Sequence, residues 1–336
     1  MSAVNRFARY DQVLREKFPG LIPTNLRGAY AVPAPPDNFD PRKASPDELA
    51  KHALFSLPAP RHPALAKAWE RVFSPGRRAE GWIVPELKPQ IGRVHHYFRG
   101  PLVQAANGNY VQTAWAGVAI QGSSWTANGA IWEIPTVSKP AEGAGDDGGW
   151  DSSSWVGIDG YDLEISSNDV LQAGVQQSVD GSGNASYIAW FEWWAPPEAG
   201  SPSYIYQTNI NIEISPGDQI LSQVIYIPLG IYGINLGFIL FANITTGKVT
   251  AVILGPPPGA TAAGNTIEWI MEAPNGGEPA SSLPKFTPVV FNFAGGAGGD
   301  PNNPQYGDTL NIQNAVGKVL TSVTLGNDTL TINFIG

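Results

Sequence analysis

The sequence predicts an all-β protein, an antiparallel β-sandwich, and three observations carry that prediction. Gly 38, Pro 30, abundant Trp, Tyr, Val and Ile, and only 15% charged residues describe a chain of short strands and turns. From about Tyr97 onward, segments of alternating polar and apolar residues recur between turn signals. No convincing long helix interrupts them, so strands must pack on strands.

In chain order, the first hundred residues read as loops with short helices. One helix fits 44–55 (ASPDELAKHALF), where Ser45 caps, Pro46 suits the first turn and Glu48 is the carboxylate three residues on. A second fits 62–73, with Pro63 early, Leu65, Trp69 and Val72 apolar, and Pro75-Gly76 as the stop. The stretch AVPAPPDNFDP (31–41) is expected to be extended. Strands are then predicted at 110–121, 129–134, 154–158, 170–176, 185–194, 207–214, 219–227, 237–243, 248–254, 266–271, 288–293, 309–313 and 329–334. SPGD (215–218), TTGK (245–248) and LGND (325–328) mark turns, and AGGAGGDPNNPQ (294–305) reads as a mobile loop.

Charge divides the chain in the same place. Residues 1–100 hold 16 of the 20 Lys and Arg but 9 of the 29 Asp and Glu, a surplus of seven positive charges. Residues 101–336 hold the other 4 and 20, a surplus of sixteen negative charges. This suggests a basic segment, 1–100, lying against an acidic sandwich domain, 101–336. The segment is expected to act as a propeptide that closes an acidic groove near neutral pH. It would let go as carboxylates protonate toward about pH 4, with Arg77-Arg78 as one exposed place for cleavage.

The composition also excludes chemistry. There is no cysteine, which removes disulfides and thiolate nucleophiles. All four histidines (His52, His62, His95 and His96) precede residue 101, so the acidic domain has no Ser-His-Asp triad or histidine metal site of its own. Hydrolysis there must rest on carboxylates, amides and hydroxyls. No cofactor or metal is expected. GDDGGWD (145–151) offers oxygen ligands for calcium, but its spacing fits no standard loop and a solvated acidic turn is the simpler reading. The acidic domain argues against nucleic acid, and no apolar run of about 18 residues argues for a membrane helix. The opening MSAVNRFARYDQVLREKFPG has no apolar core and does not read as a signal peptide. N-x-S/T sequons begin at Asn184, Asn243 and Asn327.

Polar residues interrupt apolar, aromatic strands at SSWVGIDGYD (153–162), VLQAGVQQ (170–177), AWFEWWAPP (189–197) and NTIEWIME (265–272). Period-two alternation puts Gln172, Gly174 and Gln176 on one face, and Glu268, Ile270 and Glu272 on one face of another strand. A sandwich bent into a groove would let Gln172 and Glu268 face one site. The same residues admit other readings. Glu192 with Glu268 suits a glycoside hydrolase of the two-carboxylate kind, and the Trp-rich face suits a non-catalytic carbohydrate- or protein-binding sandwich.

Seven strings resemble the eqolisin family of glutamic peptidases, in family order. They are AWAG (114–117), WEIPTV (132–137), SWVGIDG (154–160), VLQAGV (170–175), AWFEWW (189–194), NITTGK (243–248) and IEWIMEAP (267–274). The resemblance implies a lectin- or jelly-roll-like sandwich of two curved, seven-stranded sheets with the active site on the concave face. It implies Glu268 and Gln172 as the catalytic pair, with Trp155, Asp159 and Glu192 near them. It implies an acid-acting endopeptidase, a monomer that takes protein or peptide substrates, with its own N-terminal segment as inhibitor. An extracellular or otherwise acidic setting follows. The sequence departs from the family in Gln176, where an acidic residue is usual, in its lack of cysteine and in the apolar stretch 227–241. A free glutamate titrates near 4.3, so Glu268 can serve as a base in mildly acid solution if its environment leaves that value unchanged.

Overall fold

The structure is a computed structural model that describes residues 3–18, 20–41, 81–90, 103–106, 108–112, 114–141, 149–161, 169–195, 207–228, 234–260, 263–274, 283–299, 303–326 and 328–336, with isolated positions between 43 and 70. The main strands are β1 (Trp115–Gln121), β2 (Ala127–Glu133), β3 (Trp150–Ile158), β4 (Val170–Val179), β5 (Ala185–Trp194), β6 (Gln219–Ile227), β7 (Leu236–Asn243), β8 (Lys248–Leu254), β9 (Thr266–Glu272), β10 (Val289–Ala297), β11 (Asp308–Ile312), β12 (Thr321–Leu325) and β13 (Thr329–Phe334). Each predicted strand segment overlaps one or more of the observed strands.

Among the described residues the two large sheets have nine and ten strands, where the resemblance implied seven in each, and a small third sheet pairs Val137–Ser138 with Lys285–Phe286. The nine-stranded sheet runs Ile22–Pro23, Ala29–Ala31, β8, β7, β6, β2, β10, β13, β12. The ten-stranded sheet runs Leu87–Pro89, Thr208–Ile210, β5, β4, β3, β9, β1, β11, Tyr110–Gln112, Val103–Gln104. The basic segment supplies part of the excess. Ala29–Ala31 pairs with β8, and Leu87–Pro89 pairs with Thr208–Ile210. Of the Pro-rich segment 31–41, Ala31 is in the sheet, and a turn at Asp37–Asn38, with Phe39 N–H donating to Pro36 O at 2.8 Å, interrupts the extended path expected there.

Alternation builds the core. Trp132, Val224, Ile239 and Phe241 of one sheet meet Val156, Leu171, Ala173, Phe191, Ile267 and Trp269 of the other in one buried cluster. A second cluster lies on the outer face of the nine-stranded sheet. There Ile131, Leu221, Ile225, Phe238, Leu240 and Ile253 are covered by Leu14, Tyr30 and Val32. Leu14 belongs to a helix that the sequence reading missed, α1 (Ala3–Lys17), whose last turn carries Arg15 and Lys17, favourable to its dipole. Backbone bonds tie the segment down: Val32 N–H donates to Ala251 O at 2.9 Å and Ile83 N–H to Val249 O at 2.8 Å. The described part of the basic segment therefore packs on the nine-stranded sheet and on an edge of the ten-stranded sheet.

The capping box at Ser45 is present: Ser45 N–H donates to Glu48 Oε2 at 2.8 Å and Glu48 N–H to Ser45 Oγ at 3.3 Å. The helix expected at 62–73 lies outside the described residues apart from Glu70, as do Arg77-Arg78, His95, His96, Asn327 and the first four residues of GDDGGWD. The glycine-rich stretch from 294 is corrected. Its first four residues continue β10 to Ala297, paired with β2 after a register shift between Asn292 and Gly295. Glycine serves close packing there, because a Cβ on Gly296 would sit 2.5 Å from Ile267 Cδ1. The sequon at Asn243 is structural. Its buried amide donates to Glu213 O at 3.0 Å and Asp218 Oδ2 at 2.8 Å, so it offers no glycan acceptor.

Candidate active site

The outer face of the ten-stranded sheet carries the polar residues that alternation placed opposite the core. Register aligns them in rows. Glu268 of β9 pairs with Gly157 of β3, Gly157 with Gln172 of β4, and Gln172 with Glu192 of β5. Adjacent strands stand about 4.8 Å apart, so the backbones of Glu268 and Gln172 are separated by roughly 10 Å, with only a glycine between them. A Cβ on Gly157 would lie 3.2 Å from Glu268 Oε2 and 2.8 Å from Trp155 Cζ3. The Glu268 carboxylate therefore reaches over Gly157 toward Gln172, and the missing side chain leaves the room.

Gln172 is fixed from its other side, where its Nε2 donates to Glu192 Oε2 at 2.9 Å. One amide hydrogen is thereby used and the second is available to an oxygen above the row. Glu268 is fully buried, and neither carboxylate oxygen has a hydrogen-bond partner in good geometry. Burial pushes its carboxyl well above the usual range, and the negative charge of Asp159 adds to the rise. The Thr266 hydroxyl and the Tyr161 backbone N–H lie close enough to offset part of it. The unchanged glutamate value entertained from sequence is corrected accordingly.

Trp155 occupies the next row, opposite Ile270 and Gly174. Its indole N–H donates to Glu272 Oε2 at 2.7 Å, and its ring packs edge-on against Trp115 with centroids 5.0 Å apart. The ring thus spans from Glu272 to the space beside Glu268. Asp159 is not in the row. It adopts φ 67 at the end of β3, and its carboxylate accepts from Gly264 N–H at 2.9 Å and Asn265 N–H at 2.6 Å. It anchors the turn that leads into β9 and so sets where Glu268 begins. Gln176, four residues along from Gln172, donates to Ser178 Oγ at 3.0 Å and accepts from Gln207 Nε2 at 2.8 Å. An amide can do both; a carboxylate there could only accept.

Glu268, Gln172 and Glu192 are thus brought into one row with Trp155 beside it, and Asp159 supports it from the strand end. Sequence reading missed three contributors, Gly157, Glu272 and Asn128. Glu272 was visible as the second acid on the face of Glu268; Asn128 showed only as one polar residue among Ala127, Gly129 and Ala130. Among the described residues no group of three or more His, Cys, Asp or Glu is placed to hold a metal ion, and no helix is long and apolar enough to cross a membrane.

The peptidase A4 family matches residues 113–334, which include the whole row. The chain belongs to this family. As a peptidase A4 (eqolisin) member it is a glutamic endopeptidase with the β-sandwich expected of one. Aspergillopepsin-2 of Aspergillus niger is 30% identical over 236 residues, spanning 66% of this chain and 77% of that protein. Scytalidopepsin B of Scytalidium lignicola is 28% identical over 186 residues, spanning 54% of this chain and 61% of its own length. Scytalido-glutamic peptidase, solved with a transition state analog inhibitor, shares the fold at a TM-score of 0.51 and 19% identity, covering 67% of this chain and 99% of that one.

Proposed function

We propose that this eqolisin hydrolyses protein or peptide substrates in weakly acid solution above the raised titration point of its base, with Glu268 as that general base and Gln172 as oxyanion donor. The observation that carries the reading is the row in which both face the gap over Gly157. Ionised Glu268 takes a proton from water as the water oxygen attacks the scissile carbonyl carbon. The free amide N–H of Gln172 donates to the oxyanion, while Glu192 keeps that amide turned the right way. The tetrahedral adduct collapses, the C–N bond breaks, and Glu268 returns the proton to the leaving nitrogen. Glutamine carries no charge at any working pH, so acid leaves the oxyanion donor intact.

The pH dependence follows from the environment of Glu268. The base must be ionised, and burial raises its carboxyl, so activity falls on acidification through a point above the ordinary value of about 4.3. The chemistry suits an extracellular or otherwise acidic setting. Residues 1–100 enter as a propeptide whose described part supports folding through the sheet face it covers.

The test is casein digestion by the full chain from about pH 3 to 8, bracketing the free-glutamate value, with Gln172→Ala beside the wild type. Loss of one oxyanion donor should lower kcat by about 10²–10³. Cleavage by Gln172→Ala at the wild-type rate would remove the amide from the mechanism.

A further inference from the structure

A buried side chain on the opposite sheet holds the backbone of the catalytic row. Asn128, on β2 of the nine-stranded sheet, is fully buried in the interface between the sheets. Its Nδ2 donates to Gly157 O at 2.8 Å and to Glu268 O at 2.7 Å. Two carbonyl acceptors fix which end of the amide faces them, since only the NH2 end can donate. Both accepting residues belong to the row, one carrying the base and the other the gap beneath it.

Burying an amide between apolar sheets is costly unless its hydrogen bonds repay the loss of water, and Asn128 Oδ1 has no partner to help. Its amide in turn supplies a donor to two buried carbonyls, which an apolar residue could not do. The cost is incurred where two strands meet at the site. Neighbouring tethers share the pattern: Trp269 Nε1 donates to Gly129 O at 3.1 Å, and Trp132 Nε1 to Ser154 Oγ at 3.0 Å. Unlike these, Asn128 grips the catalytic residue itself and its row neighbour at once.

We propose that Asn128 is a positioning residue for peptide hydrolysis, holding the Gly157 and Glu268 backbones so that the Glu268 carboxylate stands over the glycine gap. Asn128 touches neither substrate nor reacting atoms; it acts through β3 and β9. The inference rests on Glu268 being the base.

The experiment compares Asn128→Leu with wild type in the full chain, with Glu268→Gln as a parallel control. A displacement near 1 Å at the base should lower kcat by about 10- to 100-fold. KM should stay within about twofold, because uniform substrate binding is untouched. The melting temperature should fall in either case, because two buried carbonyls lose a donor. A purely structural asparagine gives that lower melting temperature with wild-type kcat per folded molecule, and that pattern overturns the inference. Should Asn128→Leu not fold, Asn128→Ala carries the same kcat and KM expectations, and a wild-type kcat in it likewise overturns the inference. If Glu268→Gln keeps wild-type activity, the assignment of the base fails first; if it is inactive while Asn128→Leu is fully active, the positioning role alone fails.

Discussion

Gly157→Ala tests the site through a single methyl group. The glycine is not in a left-handed conformation, so alanine introduces no backbone strain there, and its effect is steric. Its Cβ would lie 2.8 Å from Trp155 Cζ3 and 3.2 Å from Glu268 Oε2. Relaxed carbon contacts fall near 3.5–4.0 Å, so ring and carboxylate must retreat by about 0.5–1 Å. Overpacking of this kind costs about 1–3 kcal/mol of stability, which leaves the domain folded. A 1 Å misplacement at the reacting centre costs about 10²-fold in rate, and the methyl also fills the space between Glu268 and Gln172. The expected outcome is a kcat at least about 100-fold lower with circular dichroism unchanged, measured by steady-state hydrolysis of a quenched fluorescent peptide. Wild-type kcat in Gly157→Ala would refute the idea that the reaction takes place over this glycine.

Two further outcomes concern stability. The carboxyl of Glu268 is raised in the fold, so the folded state favours its protonated form. Its contribution is fully present below the unfolded value of about 4.3 and is lost as pH rises through the folded pKa. Thermal melts at several pH values should therefore show wild type losing stability relative to Glu268→Gln on going from acid to neutral pH; parallel curves would contradict the burial of an unpaired carboxyl. Leu14→Ala should lower unfolding free energy by about 2–5 kcal/mol in urea, because Leu14 is fully buried on the outer face of the nine-stranded sheet. An unchanged midpoint would mean that α1 does not dock there.

The sandwich was legible because strand periodicity and turn residues are local signals. VLQAGVQQ and TIEWIME each present one polar and one apolar face, and those faces became site and core. What local patterns could not supply was register. Gln172 and Glu268 lie 96 positions apart, and their common neighbour Gly157 follows from pairing β3 both with β4, next in the chain, and with the distant β9. Asn128 was hidden for the same reason, since its partners are 29 and 140 residues away. Charge asymmetry suggested that the basic segment lies against the acidic groove. The described part follows apolar surface, with Leu14, Tyr30 and Val32 covering the outer sheet face and Ala29–Ala31 and Ile22–Pro23 extending that sheet at its edge. Apolar burial is strong at contact, whereas charge attraction between exposed groups is weakened by salt. Asp159 was placed near the site by resemblance, and the backbone N–H donors to its carboxylate show that it works at the turn before β9.

In the proposed mechanism the Glu268 carboxylate moves the proton in peptide hydrolysis. The most direct measurement is single-turnover cleavage of a peptide by purified Glu268→Gln, which preserves shape and burial while removing the base. Cleavage should fall by several orders of magnitude below wild type, leaving only the residual contribution of Gln172 and binding, with peptide affinity retained. Turnover by Glu268→Gln at a rate comparable with wild type would contradict it and move the catalytic base elsewhere on the sheet.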